Sequence, residues 1–334
     1  MAGPNLLERP ATPDLVQFRA GFGQRFLVTV DTEEEFDWSA PITRDRHGLA
    51  TIPALRTFQT FCEEHGVVPV YLVDYPIAQA PEAAEDLGDA VRSGRAEVGV
   101  QLHPWVSPPF DEEVSEYNSY AGNLSAALER KKFRILRDTI EERFGTAPLI
   151  YRAGRYGLGR DTAEILADHG LVIDTSVRSM FDYSGHGGPN YRDHPLQPYW
   201  IDRSRNLLEL PLTTVFWGPL RQLGPRLYPY LWRVPAARGM LSRAGLLERI
   251  PLTPEGVTVE EAMRGIDVAV DEKLPVLVLS FHSPSLAAGH TPYVRNDADL
   301  AKLYDWWRQV FQHLARRGVA STSVADIMTN VQRD

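Results

Sequence analysis

The chain has 334 residues, 43% apolar and 24% charged, and its 35 basic and 44 acidic side chains give a formal net charge of −9. An aromatic share of 10%, spread along the whole length, excludes intrinsic disorder, and the acidic balance argues against broad nucleic-acid binding. Apolar runs such as 67–73 and 276–281 are far too short for a membrane span.

One cysteine, Cys62, has no partner for an internal disulfide and reads as a small buried thiol on a helix. The first 25 residues mix Pro4, Pro10 and Pro13 with Glu8, Asp14 and Arg19, without the apolar core of a signal peptide. They predict a cytoplasmic protein with a loosely held N-terminal arm at 1–25.

Residues 26–30 predict a first strand, followed by the acidic run 31–35. A helix over 53–65 has Leu55, Phe58 and Phe61 on one face and Gly66 as its stop. A strand at 67–73, a helix at 81–93 and a strand at 97–102 lead into a loop holding Pro104, Pro108 and Pro109. The longest predicted helix, 124–144, ends at Gly145. After it come a strand at 148–151, a helix at 161–169 and a strand at 171–173. Further strands at 207–212 and 275–281 flank a helix at 259–272. A long helix at 300–317 carries Trp306, Trp307 and Phe311, and a terminal helix covers 324–331.

This alternation predicts an α/β fold with a parallel sheet, closed into a barrel or left open, in a single domain over 26–334. Two stretches depart from the rhythm. Residues 178–205, dense in Gly, Pro, Tyr and His, read as a long functional loop. Residues 217–249, rich in Arg, Leu and aromatics, read as a helical insertion, either a cap or partner surface or plain packing on the barrel's outside.

In parallel α/β sheets the active site lies at the carboxyl ends of the strands. Here the strands deliver Asp31 and Glu33, then Asp74, then Gln101, His103 and Trp105, then Arg152 and Tyr156, then Asp174, and last His282. Carboxylates, imidazoles and an arginine at one rim suit metal-assisted hydrolysis. A divalent ion activates water, a carboxylate takes its proton, a histidine protonates the leaving group, and the arginine orients the base. Each group also has a structural alternative. Glu34 and Glu35 fit a solvated acidic turn equally well, His103 a packed histidine, and Arg152 an ordinary ion-pair partner. The aromatics Trp38, Trp105, Tyr156, Tyr183, Trp200 and Trp217 suit either sugar stacking or core.

At these residues the sequence resembles the polysaccharide deacetylases, carbohydrate esterase family 4 with the NodB-homology domain. The resemblance runs in order from Phe26 to the end. Thr29-Val30-Asp31-Thr32-Glu33 looks like the first family motif, and Glu97-Val98-Gly99-Val100-Gln101-Leu102-His103 like the second. Tyr151-Arg152-Ala153-Gly154-Arg155-Tyr156 is similar to the arginine motif, Asp174-Thr175-Ser176 occupies the fourth position, and Leu279-Ser280-Phe281-His282 resembles the last. The strings Asp-Thr-Glu-Glu-Glu-Phe-Asp-Trp, Gln-Leu-His-Pro-Trp and His-Ser-Pro-Ser-Leu look like a divergent bacterial branch associated with surface-polysaccharide genes.

The resemblance implies a distorted (β/α) barrel of about seven parallel strands and removal of an N- or O-acetyl group from a sugar or sugar-lipid, assisted by a divalent metal such as zinc. It implies Asp31 as general base, Arg152 as its orienting residue, His282 as general acid and Asp174 as the carboxylate tuning that histidine. Asp31, Glu33 and His103 are the implied metal ligands, with Gln101, Trp105 and Tyr156 as substrate contacts. Three positions depart from the family pattern: Gln101 and Trp105 stand where two histidines are usual, and Thr32 stands where a second aspartate is usual. A non-catalytic carbohydrate-binding barrel is the alternative from another class. Deformylation on the same scaffold is a third reading.

Overall fold

Eight residues, Arg25–Thr32, form strand β1, and all but the first are buried. A strand enclosed on both faces needs an almost unbroken apolar run, which Phe26-Leu27-Val28 and Val30 supply. In the computed structural model, which describes residues 5–231 and 234–333, β1 lies inside a curled, mostly parallel nine-stranded sheet. The other strands are β2 (Pro69–Val73), β3 (Glu97–Leu102), β4 (Ile150–Ala153), β5 (Ile173–Asp174), β6 (Tyr199–Asp202), β7 (Leu207–Glu209), β10 (Val276–His282) and β11 (Ala320–Ser321). Their order is β10-β1-β2-β3-β4-β5-β7-β6, with β11 added beside β1. Only β6 runs antiparallel to its neighbour. The result is a distorted half-barrel of the kind the motifs imply.

The helices between the strands cover its outside: α1 (Ile52–Glu64), α2 (Tyr75–Gln79), α3 (Pro81–Arg92), α4 (Ala126–Phe144), α5 (Thr162–Asp168), α8 (Val259–Asp271), α9 (Asp297–Arg316) and α10 (Val324–Asn330). Local chemistry sets their ends. Ser125 caps α4, which stops at Gly145 with φ of 70°, and Thr258 and Glu261 form a capping box on α8. The apolar face of α1 meets α9 and β10 through Phe58, whose ring lies 5.0 Å from Phe281 and 6.0 Å from Trp307. Cys62, on α1, is a buried free thiol.

Three expectations need correction. The N-terminal arm is not loosely held where it is described: Leu6, Val16 and Phe22 are buried, and Leu15 and Phe18 bridge to Tyr199 and Val331. The strand expected over 207–212 stops as a regular ladder at Glu209, since Pro211 has no N–H to give. The stretch 178–205 is not wholly irregular, because it contains β6.

The insertion is a β-ribbon, β8 (Thr214–Trp217) with β9 (Glu248–Pro251), enclosing helices α6 (Gly224–Leu231) and α7 (Pro235–Arg243). Residues 1–4 of the expected arm and 232–233 of the insertion lie outside the described residues. At the base of the ribbon, Thr213 exchanges hydrogen bonds with Val278, and Ser280 N donates to Leu252 O at 3.1 Å, covering the open edge of β10. Among the described residues no helix is long and apolar enough to cross a membrane.

Candidate active site

The parallel ladders bring distant residues into line. Register places Asp31 opposite His282 between β1 and β10, and Gln101 opposite Arg152 between β3 and β4. All four strands end at one rim, around a cavity of about 930 Å³. Eight of the nine residues to which the resemblance gives a site role line it: Asp31, Glu33, Gln101, His103, Trp105, Arg152, Tyr156 and His282. Asp174 does not.

Arg152 is 1% exposed and fully satisfied. Its Nη1 donates to Asp31 Oδ1 and, at 2.9 Å, to Ser280 Oγ. Nη2 reaches Thr29 Oγ1 at 2.9 Å and Thr175 Oγ1 at 3.5 Å, and Nε reaches Thr175 O at 3.0 Å. Five donors therefore meet five acceptors, which fixes the guanidinium and the carboxylate it holds. The other oxygen of Asp31 lies 3.7 Å from His282 Nε2. That is too long for a direct hydrogen bond and leaves the two groups facing the cavity together.

The carboxylate on His282 is Glu255. Its Oε2 accepts from Nδ1 at 2.6 Å, and its Oε1 accepts from the His282 backbone N–H at 3.2 Å and from Ser285 Oγ at 2.6 Å. Burial works against charge on His282, but Glu255, Glu33 and Asp31 outweigh it and hold the imidazolium up to about 10. The expectation for Asp174 is thus corrected. Its oxygens accept from Ser176 Oγ and N, with Glu209 beside it, while Glu255 and Asp31 face the two nitrogens of His282. Burial raises Asp174 above the usual carboxylate range, and Glu209 still further.

On the other side of the cavity, His103 Nδ1 bonds Glu34 Oε2 at 2.9 Å, and the second oxygen of Glu34 accepts from Trp105 Nε1 at 2.8 Å. The Trp105 ring stacks on His103 with centroids 4.3 Å apart. Trp105 is buried, with its indole N–H used by Glu34, so it braces the histidine more than it offers a stacking face. Asp74 caps α2 through Ile77 N and accepts from Glu34 N at 2.8 Å. Glu34 is not the solvated turn weighed above; it has no exposed surface. Burial, with Glu34 beside it, pushes Asp74 well above the usual carboxylate range, and burial raises Glu34 as well.

Glu34, Asp74 and His103 are close enough together to hold a cation, their candidate atoms all lying within 4.8 Å. They are also largely satisfied by one another. The imidazole Nε2 points instead toward Glu33, 3.5 Å from its Oε2, which also accepts from Gln101 Nε2 at 3.1 Å. Glu33 Oε1 and Gln101 Oε1 are both buried without a hydrogen-bond partner. Burial raises Glu33 to about 8, with Glu34 and Asp31 adding to the rise and His282 and His103 opposing it. Two orphaned oxygens beside an imidazole whose other nitrogen is bonded to a carboxylate fit a divalent cation. Asp31, the third ligand expected, is engaged by Arg152.

The remaining wall is built by the segment after β1. Trp38 stands edge-on to His282, centroids 4.9 Å apart, and stacks on Phe36. Opposite, Arg155 and Tyr156 both adopt positive φ, 54° and 61°, a strained turn at the cavity edge. Gly154 permits it, because a Cβ there would come within 2.3 Å of the His103 ring and 2.6 Å of Leu102 O.

The sequence reading missed Glu255 and left Glu34 open. Glu34 lies in an acidic run, and its partners Trp105 and His103 are readable only as motif residues. Glu255 comes from a Pro-Glu-Gly turn ahead of α8 that carries no motif.

No protein family and no curated protein matches the sequence. Among solved structures the chain is similar to a candidate polysaccharide deacetylase of Mycobacterium smegmatis, at 17% identity and a TM-score of 0.46, covering 95% of this chain and 98% of that one. It is similar to a family 4 carbohydrate esterase of Streptomyces lividans, at 12% identity, TM-score 0.43, and coverage of 92% and 97%. The chitin deacetylase of the fungus Colletotrichum lindemuthianum gives 11%, 0.44, and 93% of each chain. The likeness is one of fold.

Proposed function

We propose that this protein is a hydrolase that removes an acyl group, N- or O-acetyl, from a sugar or sugar-lipid, with a divalent cation such as zinc. The observation that carries the reading is the facing pair in the cavity: Asp31 held by Arg152, and His282 held by Glu255, 3.7 Å apart.

Glu33, Gln101 and His103 Nε2 would hold the cation, which when bound supplies a Lewis acid that polarises the acyl oxygen and makes a water more acidic. The free oxygen of Asp31 takes the proton of the attacking water. His282 Nε2–H gives its proton to the departing sugar nitrogen or oxygen as the acyl bond breaks, so the products are a carboxylic acid and the free amine or alcohol. Glu255 keeps the Nδ1 proton in place and the ring aimed into the cavity, while Arg152 keeps Asp31 from turning away. Trp38 and Tyr156 border the sugar, and Trp38 also limits water at His282.

The test is acyl release from a panel of acetylated and formylated sugars, free and lipid-linked, using zinc-loaded protein before and after chelation. Release that is lost on chelation and in His282→Ala supports the proposal. Metal-loaded, folded protein that binds sugars but releases no acyl group overturns it in favour of a carbohydrate-binding barrel.

A further inference from the structure

The ribbon insertion holds two helices that do not belong to the core. Apart from Gly224, no described residue of α6 or α7 is buried. Eleven large apolar side chains are exposed among the described residues, and six of them fall within 223–246: Leu223, Leu227, Tyr230, Val234, Met240 and Leu246. Tyr230 is 71% exposed and Met240 65%. Helices of a soluble domain usually turn such residues inward, and a cluster of them in water marks a surface that meets something.

Charge says what. From Gly218 to Leu247 the sequence has five arginines (221, 226, 233, 238 and 243) and no Asp, Glu or Lys. The segment is thus +5 in a chain of −9, which leaves −14 for the remainder. At its base Arg221 lies 4.0 Å from Glu272. Arginine-only helices with exposed Leu, Met and Tyr are the pattern of an element that lies in the interface of an anionic bilayer. The apolar side chains enter the headgroup boundary and the guanidiniums meet lipid phosphates.

We propose that α6 and α7 dock this protein onto an anionic membrane surface. The docking hairpin is joined to the cavity by a row of rings. Tyr228 lies 4.5 Å from the Arg249 guanidinium, which lies 3.5 Å over Phe181. Phe181 stacks with Tyr183 at 6.2 Å, and Tyr183 meets Tyr156, on the cavity wall, at 5.7 Å. Resting on the function proposed above, this adjacency favours an acylated sugar carried on a lipid in the same bilayer. The docking itself does not depend on that reading.

The experiment is co-sedimentation of the full chain with vesicles of phosphatidylcholine alone or mixed with phosphatidylglycerol. Binding to the mixed vesicles only, weakened at least tenfold by 0.5 M salt, is expected. Leu227→Ser with Met240→Ser, and separately Arg226→Glu with Arg243→Glu, should each weaken it at least tenfold. Both pairs should keep the wild-type melting temperature and the wild-type hydrolysis of a water-soluble acyl sugar. Absence of binding by the wild type overturns the proposal, as does binding that the variants leave unchanged. So does a stable dimer, seen by light scattering, that the Leu227/Met240 pair dissociates while vesicles bind neither form. A failure of hydrolysis with intact vesicle binding would count against the proposed function and not against docking.

Discussion

Arg152 and Asp31 lie 121 residues apart and form an ion pair that is almost wholly buried, 1% and 2% exposed. Such a pair is retained where its geometry is needed, because a buried charge that loses its partner is costly, by about 3–5 kcal/mol. Arg152→Lys keeps the charge but cannot make five directed bonds. The expected outcome is a kcat lower by about a hundredfold, as for an ångström-scale misplacement of a reacting group, with a folded protein by circular dichroism. Wild-type kcat in that variant would remove Arg152 from the orienting role.

Glu255 is expected to set the alkaline limb of the pH profile. His282 must carry its proton to act as acid, so activity should fall as pH rises through its pKa. Glu255 is the largest of the groups raising that pKa against burial. In Glu255→Gln the decline should therefore begin at lower pH, with kcat reduced by about 10²- to 10⁴-fold, the range for general acid–base catalysis. Asp174→Asn should leave the position of that limb unchanged. A shift in the Asp174 variant and none in the Glu255 variant would reinstate Asp174 as the residue acting on His282.

The contrast between those two carboxylates shows what the sequence made legible. Asp31 and His282 could be read because each closes an apolar strand buried on both faces, and strand ends of one parallel sheet must share a rim. Arg152 followed from the same rule. Asp174 obeys it too, but β5 is only two residues long and the Asp174 carboxylate is taken by Ser176 with Glu209 beside it. Glu255 is on no strand. Packing of the turn after β9 against β10 brings it to His282, a contact across 27 residues that no local pattern encodes. The composition of the insertion predicts only helix, and its ribbon carries no comparable signal because Thr214–Trp217 and Glu248–Pro251 are short and pair only with each other.

Glu34 should act on the metal through His103. It fixes the imidazole by Nδ1, and the indole of Trp105 holds it in turn. Glu34→Gln is expected to lower zinc affinity by about 10- to 100-fold, the usual effect of removing a carboxylate behind a histidine ligand. His103→Ala should abolish stoichiometric binding. Calorimetric titration of chelator-treated protein measures both. If Glu34→Gln abolishes binding while Glu33→Gln and Gln101→Ala leave it intact, the cation sits in the Glu34–Asp74–His103 group instead.

Away from the site, Glu129 on α4 offers a test of the fold's electrostatics. It is buried, accepts from Thr162 Oγ1, and is raised by burial, with Asp161 adding and Thr162 and Arg130 opposing, from 4.5 to about 7. A folded state that binds the proton more tightly than the unfolded chain is stabilised where both are protonated. That contribution is full below about 4.5 and is lost as pH climbs to about 7. At 1.36 kcal/mol per unit the loss is roughly 3 kcal/mol. Glu129→Gln stays neutral throughout, so its stability should decline less between pH 5 and 7 than that of the wild type, and should exceed it at pH 8. Urea unfolding at the three pH values reads this directly. Parallel curves for the two proteins would mean that Glu129 is already ionised in the fold, with Thr162 and Arg130 compensating its burial.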